Sequence, residues 1–193
     1  MTQDTNKTGV GGRLIEQSRL TLYPSDPHYA WADNIYVVGT LRERGFIADR
    51  LDQRSSELYF QCGDRFLSLI TFLGCAPNIA FEPHDDGRAF CFIHMPAPAV
   101  LPVAHFGVNA KSALCPTCKY PVHAFDEVTE ICCSHCGTPA QAWRLNWRKT
   151  ACWARVVINV WNVFESEAVP GDQLLETLLS VSGVPWSYCY IRT

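Results

Sequence analysis

Four cysteines constrain this chain of 193 residues more than any other feature of its sequence. They form two Cys-x-x-Cys pairs, Cys115 with Cys118 and Cys133 with Cys136, and 14 residues separate the pairs. Two residues between paired cysteines let one tight turn direct both sulfurs at a single point. Four thiolates in a tetrahedron are a preferred ligand set for Zn²⁺. The spacing therefore predicts one zinc ion between two facing turns, with Gly137 free to adopt a positive φ after the second.

A further cysteine leaves the register of the second pair open. Cys132 could replace Cys133, but three residues would then separate it from Cys136, so the spacing favours Cys133. His123 and His135 are nitrogen donors in the same region, and we interpret both as surface polar residues. A closed set of four protein ligands leaves no coordination position for a substrate, so the predicted zinc is structural.

The segment 112–140 resembles the zinc-ribbon family of small zinc-binding hairpins. The resemblance rests on Cys115-Pro-Thr-Cys118 and Cys133-Ser-His-Cys136-Gly137, and it covers none of the remaining chain. It implies zinc binding by the four cysteines. It implies no particular activity, because zinc ribbons occur in transcription factors, ribosomal proteins, enzymes and adaptors.

Composition and charge narrow the function classes. Hydrophobic residues make up 48% of the chain, which suffices for an ordinary core. No apolar run approaches the roughly 18 residues that a membrane span needs, so we expect no membrane partner. The first residues lack the apolar segment of a secretory signal, and we therefore expect a cytoplasmic protein with reduced cysteines. A net charge of −3 gives no general attraction to nucleic acid.

Basic residues concentrate in the middle of the chain. Residues 105–155 carry 6 basic and 3 acidic residues, whereas acidic residues outnumber basic ones on both sides. Within this region, segment 143–155 interleaves Trp143, Trp147 and Trp153 with arginine and lysine. Such a pattern is typical of single-stranded nucleic-acid binding, by phosphate contact and base stacking. It is also typical of buried tryptophans with arginine packed on them, and we favour this second interpretation.

Hydrophobic periodicity predicts an α+β fold, in which a mixed sheet packs against helices. Helices are expected over 27–44, over 64–73 and from Asp172 to Gly183, each with a capping or stop residue. Strands are expected at 19–23, 58–60, 79–81, 89–94, 153–164 and 186–191. The segments that follow Gly63-Asp64 and Gly171-Asp172 parallel one another, which suggests two strand–helix–strand segments in one sheet with the ribbon inserted between them.

The expected organisation has four parts. Residues 1–13 form a flexible tail, 14–104 the N-terminal half of the α+β body, 105–150 the zinc-ribbon insertion, and 151–193 the strand–helix–strand segment that completes the body. The stretch 96–102, with three prolines, is a linker into the insertion.

Reactive side chains outside the four cysteines could form a second site. They are Cys62, Cys75, Cys91, His84, Asp85, Asp86, His94 and His105. Cys91 and His94 are three positions apart, so on a regular strand they face opposite sides and cannot share a metal. The sequence contains no glycine-rich phosphate loop, no nucleophile elbow and no metalloprotease helix.

These observations favour a non-enzymatic protein-binding or assembly module. In that interpretation the zinc ribbon and its basic exit present a surface to a protein partner. Three alternatives stay open. They are an enzyme with its active site in the α+β body and zinc only structural, nucleic-acid binding through segment 143–155, and a redox- or metal-responsive switch that uses Cys132.

Overall fold

The computed structural model describes residues 16–51, 57–74, 79–83, 88–122 and 130–193. The strands are β1 (Ser18–Pro24), β2 (Ile47–Arg50), β3 (Leu58–Cys62), β4 (Ile70–Phe72), β5 (Phe92–Met95), β6 (Val103–Phe106), β7 (Ala113–Leu114), β8 (Pro121–Val122), β9 (Glu130–Cys132), β10 (Pro139–Gln141), β11 (Ala151–Ala154), β12 (Ile158–Trp161), β13 (Ala168–Pro170) and β14 (Trp186–Arg192). The helices are α1 (Asn34–Glu43), α2 (Phe66–Leu69) and α3 (Asp172–Ser182), and Ala142–Arg144 forms one 3₁₀ turn. The tail 1–13 and the candidate residues Cys75, His84, Asp85, Asp86 and His123 lie outside the described residues.

A six-stranded sheet forms the body, in the order β14-β1-β12-β5-β3-β2. All its neighbouring strands are antiparallel. The sheet therefore alternates apolar and polar positions, as its strand sequences do. Leu20 and Leu22 of β1 are fully buried on one face. Thr21, between them, points to the other face and donates a hydrogen bond to Asn159 Oδ1 at 2.9 Å.

The two longer helices cover the apolar face of the sheet. Val37 and Leu41 of α1, and Leu174 and Leu178 of α3, share one buried cluster with the β1 leucines. α1 leads from β1 towards the β2–β3 hairpin and β5, and α3 leads from β12 to β14. Since β1 lies between β12 and β14, the second half is a split β-α-β unit, whereas the strand that follows α1 is β2, at the far edge of the sheet. The fold is α+β, as expected, but the main sheet is antiparallel throughout rather than mixed.

The helix expected over 27–44 begins later than the sequence suggested. The structure has α1 at Asn34–Glu43, and its N-cap is Asp33, whose side chain accepts hydrogen bonds from the next turn. Asp26 instead accepts a hydrogen bond from the His28 N–H at 2.9 Å, which closes a turn before any helix forms. The predicted stop is confirmed, because Gly45 has a φ of 71° directly after the helix.

The prediction of a helix over 64–73 is wrong. Only the four residues of α2 are helical, and β4 follows at once and pairs with β13. The β-branched residues Ile70 and Thr71 favour that extended pairing. As a result α1, not this segment, is the helix of the first strand–helix–strand half. The strand expected at 79–81 is also absent, because these described residues are neither helix nor strand.

The strand expected over 153–164 is two strands in different sheets. β11 pairs with β6, and β12 belongs to the main sheet. The chain bends between them at Arg155, whose guanidinium donates to the carbonyl of Ala99 at 2.9 Å and to that of His28 at 3.2 Å. By contrast, α3 and β14 match their predicted positions, and Gly183 ends α3 with a φ of 72°.

The β6–β11 pair lies over the face of the main sheet that the helices leave open. Cys152 of β11 packs there against Cys189 and Ile191 of β14. Backbone hydrogen bonds also cover the outer edge of β14, from Tyr190 N–H to the Lys149 carbonyl at 2.8 Å and from Val108 N–H to the Arg192 carbonyl at 2.9 Å. These contacts attach the cysteine-containing segment to the body. No helix among the described residues is long and apolar enough to cross a membrane.

Candidate metal centre

The first cysteine pair lies in the turn of the β7–β8 hairpin. The Cys115 N–H donates to the Tyr120 carbonyl at 3.0 Å, and the Lys119 N–H donates to the Cys115 carbonyl at 3.0 Å. Lys119 adopts a φ of 62°, a conformation that residues with a Cβ rarely take. The turn thereby places Cys115 and Cys118 on the same side of the hairpin.

The second pair repeats this turn between β9 and β10. The Cys133 N–H donates to the Thr138 carbonyl at 3.0 Å, and the Gly137 N–H donates to the Cys133 carbonyl at 2.8 Å. Gly137 has a φ of 68°, as the sequence analysis anticipated. The two turns therefore use the same hydrogen bonds at equivalent positions.

The two turns bring the four sulfurs together. Cys115 Sγ lies 3.7 Å from Cys136 Sγ, and Cys118 Sγ lies 3.6 Å from Cys133 Sγ. All four sulfurs lie within 4.8 Å of one another. A tetrahedral ion with metal–sulfur bonds of about 2.3 Å requires sulfur–sulfur separations of about 3.8 Å. A disulfide would need about 2.05 Å, so the geometry is that of free thiols that could hold a metal ion.

Burial within the group is uneven. Cys115 and Cys133, the first cysteine of each pair, are buried with exposures of 1% and 4%. Cys118 is half-buried and Cys136 is exposed. One side of the group therefore belongs to a core, and the other side opens to solvent, where an ion could enter.

Hydrogen bonds within the turns favour thiolates at two of the four positions. A backbone hydrogen bond from Cys118 lowers the pKa of Cys115. Hydrogen bonds to the hydroxyl and the backbone of Thr138 lower the pKa of Cys136 to about 6. Although a backbone hydrogen bond from Tyr120 acts in the opposite direction, burial and the neighbouring thiols raise the pKa of Cys118 to about 12. A bound cation would favour the thiolate at every position.

Cys132 and His135 lie beside the group without joining it. Among the described residues, the group that could hold a metal ion consists of the four cysteines. Cys132 is exposed at the end of β9 and is not part of this group. The ring of His135 stacks on Tyr120, with centroids 4.9 Å apart and planes 13° apart. This contact links the outer surfaces of the two turns.

A small core supports the metal site, and tryptophans from segment 143–155 form much of it. Cys115 and Cys133 pack in one buried cluster with Trp147 and Trp153, whose rings are 4.7 Å apart. The Trp147 indole N–H donates to the Ala142 carbonyl at 2.7 Å. We call this unit, residues 113–122 and 130–154, the cysteine lobe. Since two of the three tryptophans are buried, they cannot stack on bases without unfolding the lobe.

Among the candidate residues for a second site that the structure describes, the side chains do not gather at one point. Cys62 Sγ and Cys91 Sγ are 3.6 Å apart on the helix side of the sheet, where Cys91 is fully buried. His94 faces the opposite side, stacks on Tyr59, and its Nε2 lies 3.0 Å from Glu57 Oε2. Cys91 and His94 thus lie on different faces of the sheet, as their spacing predicted.

His105 lies in a third environment, on β6. Its Nε2 is 3.3 Å from the Ala154 carbonyl. Burial, opposed in part by that hydrogen bond, lowers the pKa of His105 to about 4. The ring is therefore neutral at ordinary pH and serves as a packed hydrogen-bond donor.

Two residues that shape the metal site were not predicted from the sequence. Thr138, two positions after Cys136, places its hydroxyl oxygen 3.2 Å from the Cys136 sulfur. Lys119 adopts the left-handed conformation that Gly137 adopts in the second turn. The equivalent positions in the two Cys-x-x-Cys motifs could have indicated Lys119, whereas nothing local indicates Thr138.

Comparisons of the chain with models of protein families, with curated protein sequences and with solved structures give no match.

Proposed function

We propose that Cys115, Cys118, Cys133 and Cys136 bind one Zn²⁺ as a structural centre of the zinc-ribbon type. The observation that carries this proposal is the separation of 3.6 Å and 3.7 Å within two sulfur pairs, close to the edge of a zinc–thiolate tetrahedron. Tetrahedral sulfur sites select zinc or iron, and zinc is the usual ion in structural four-cysteine sites.

A structural role follows from the position of the site in the cysteine lobe. Four thiolates occupy every coordination position of a tetrahedral ion, so no position remains for water or substrate. The lobe has few buried residues, and Cys115 and Cys133 belong to that small core. Metal binding would therefore contribute directly to the folding free energy of the lobe.

We further propose that the protein is a non-enzymatic binding or assembly module that contacts a protein partner through the cysteine lobe. The outer surface of the lobe supports this proposal. It exposes Tyr120, with 47% of its surface accessible, stacked on His135, and the basic side chains of Arg144, Arg148 and Lys149. A rigid aromatic pair beside exposed cations provides contacts of the kind that protein interfaces favour.

Metal analysis of the purified chain tests the zinc assignment. We expect about one zinc per chain for the wild type and for Cys132→Ser, whose exposed thiol lies outside the group. We expect Cys115→Ser and Cys136→Ser to lose most of the zinc, because each removes one of four ligands. Full zinc content in either of these variants, or iron in place of zinc, would contradict the assignment.

Affinity capture followed by reconstitution tests the partner. A protein captured by the wild type would be purified and titrated against the wild type, Cys132→Ser and Cys115→Ser. We expect at least about a tenfold loss of affinity for Cys115→Ser alone, since only this variant unfolds the lobe. Equal affinity for all three would contradict a role of the lobe in binding.

A further inference from the structure

A cavity of about 230 Å³ lies where the cysteine lobe meets the ends of β1 and β14. Its walls include Tyr23 and Ser187 from the sheet and Trp143 from the lobe. Among the described residues that line it, none is acidic. This separates it from the cavities of about 220 Å³ and 210 Å³ elsewhere, which contain Glu176 and Glu165 respectively.

Two consecutive basic residues line this cavity, and both have a positive φ, a backbone conformation that residues other than glycine rarely adopt. The Thr150 N–H donates to the Trp147 carbonyl at 3.0 Å and closes a four-residue turn. Its central residues, Arg148 and Lys149, have φ values of 52° and 58°. Positive φ at both central positions defines a type I′ turn, for which Asn-Gly is the preferred pair. Strained non-glycine residues of this kind cluster at binding sites.

Neutral partners position both cations without cancelling their charge. Arg148 Nη2 donates to the Ser112 carbonyl at 2.8 Å, which leaves further guanidinium N–H groups available. The Lys149 ammonium lies 3.8 Å from the centroid of the Tyr188 ring and donates to its hydroxyl. No carboxylate within the described ranges forms an ion pair with either side chain. The turn therefore keeps a local positive charge on a protein whose net charge is −3.

The remaining walls favour a planar aromatic group. Trp143 is half-buried, and its indole is held edge-on by His28, with ring centroids 5.6 Å apart. Tyr23 and Ser187 face one another across β1 and β14 at the sheet side of the cavity. A volume of 230 Å³ lies below the range of about 300–1,000 Å³ for drug-sized ligands, which limits the occupant to a single ring system.

We propose that this cavity binds a small aromatic anion, a single ring that carries a phosphate or a carboxylate. The ring packs against Trp143 and Tyr23, and Arg148 and Lys149 bind the anionic group by charge-assisted hydrogen bonds. The site contains none of the four cysteines, but Trp143, Arg148 and Lys149 belong to the cysteine lobe, so the binding test uses protein whose lobe is folded.

Titration of the purified full chain with phenyl phosphate, followed by calorimetry and tryptophan fluorescence, tests the proposal. We expect saturable binding that weakens with salt, and at least about tenfold weaker binding of inorganic phosphate and of phenol, which each lack one of the two recognised groups. Titration with benzoate distinguishes a carboxylate from a phosphate, because the probe that carries the recognised anionic group binds more tightly than the other. Failure of both phenyl phosphate and benzoate to bind at millimolar concentration would overturn the proposal.

The variant Arg148→Asn/Lys149→Gly removes both charges and installs the pair that a type I′ turn prefers, so folding is preserved. We expect it to lose at least about tenfold in affinity for the tighter-binding probe while its thermal unfolding stays cooperative. Arg144→Gln is the matched control, since Arg144 is exposed on the same lobe and does not line the cavity. Unchanged affinity in the double variant, or an equal loss in the control, would overturn the proposal.

Discussion

Lys119 and Gly137 occupy the same position in the two cysteine turns, each directly after the second cysteine of its pair, with φ values of 62° and 68°. At this position the chain must turn back to its hairpin so that both sulfurs point to one centre. Glycine adopts this conformation without steric cost, whereas lysine adopts it only with steric strain from its Cβ. The two turns thus have the same geometry but unequal backbone strain.

This inequality predicts opposite effects of two substitutions. Gly137→Ala should destabilise the lobe by about 1 kcal/mol, because alanine is strained at positive φ. No atom lies within 4 Å of the added Cβ, so the effect comes from the backbone alone. Lys119→Gly should stabilise the lobe by roughly 0.5 kcal/mol. Since metal affinity is coupled to folding, competition with a chromophoric chelator measures both changes. Changes of the same sign would contradict the equivalence of the turns.

Metal removal should unfold the cysteine lobe before the body. The lobe has a small core that includes two of the cysteines, whereas the sheet and helices share a much larger cluster. After chelation we expect hydrogen-exchange protection to fall in β7–β11 by at least about tenfold and to persist in β1 and β12. Uniform loss of protection over both regions would show instead that the metal stabilises the whole molecule.

His105 should make the protein less stable in mild acid. Its pKa is about 4 in the folded state and about 6.5 when unfolded, so below pH 6.5 the unfolded state binds a proton that the folded state does not. Stability is therefore full above about pH 6.5 and is lost as pH falls towards 4, by up to about 3 kcal/mol. The nearby charge of Arg19 acts in the same direction.

Urea unfolding of the wild type and of His105→Gln across this pH range isolates the effect. Loss of metal at low pH would affect both proteins, so their difference reports the histidine. We expect the two curves to approach one another as pH falls, because glutamine does not titrate. A constant difference between pH 7 and pH 4.5 would contradict a neutral, half-buried His105.

Two glycines of the body should respond oppositely to alanine. A Cβ at Gly63 would lie 2.2 Å from the carbonyl oxygen of Gly45, which is backbone and cannot move aside cheaply. Gly63→Ala should therefore cost more than about 2 kcal/mol of unfolding free energy. Gly39 lies in α1 with open space around it, so Gly39→Ala should stabilise the protein by about 0.5–1 kcal/mol. Thermal unfolding of both variants measures these changes.

Local signals in the sequence predicted elements whose ends are chemically marked. Gly45 and Gly183 end α1 and α3 as expected, because each takes a left-handed conformation that favours glycine. The start of α1 was misplaced because Asp26 and Asp33 are both able to cap, and only the packed structure selects Asp33. The apolar segment 64–73 has no clear periodicity, so pairing of β4 with β13 decided its conformation.

The four-cysteine group was accessible from sequence because its information is local: two short motifs determine two turns with the same hydrogen bonds. For Trp147 and Trp153 the sequence favoured burial over an exposed stacking surface, and their burial in the structure confirms this interpretation.

By itself the sequence determined the cysteine register, the α+β class and the C-terminal ends of α1 and α3, since glycine stops and alternation act over a few positions. Only the tertiary structure decided that 153–164 divides between two sheets, that α2 is one turn, and that a cationic turn borders a cavity. These features depend on contacts between distant residues, such as Thr21 with Asn159, 138 positions apart. Local propensity carries no information about such pairings, because they form only when the whole core does.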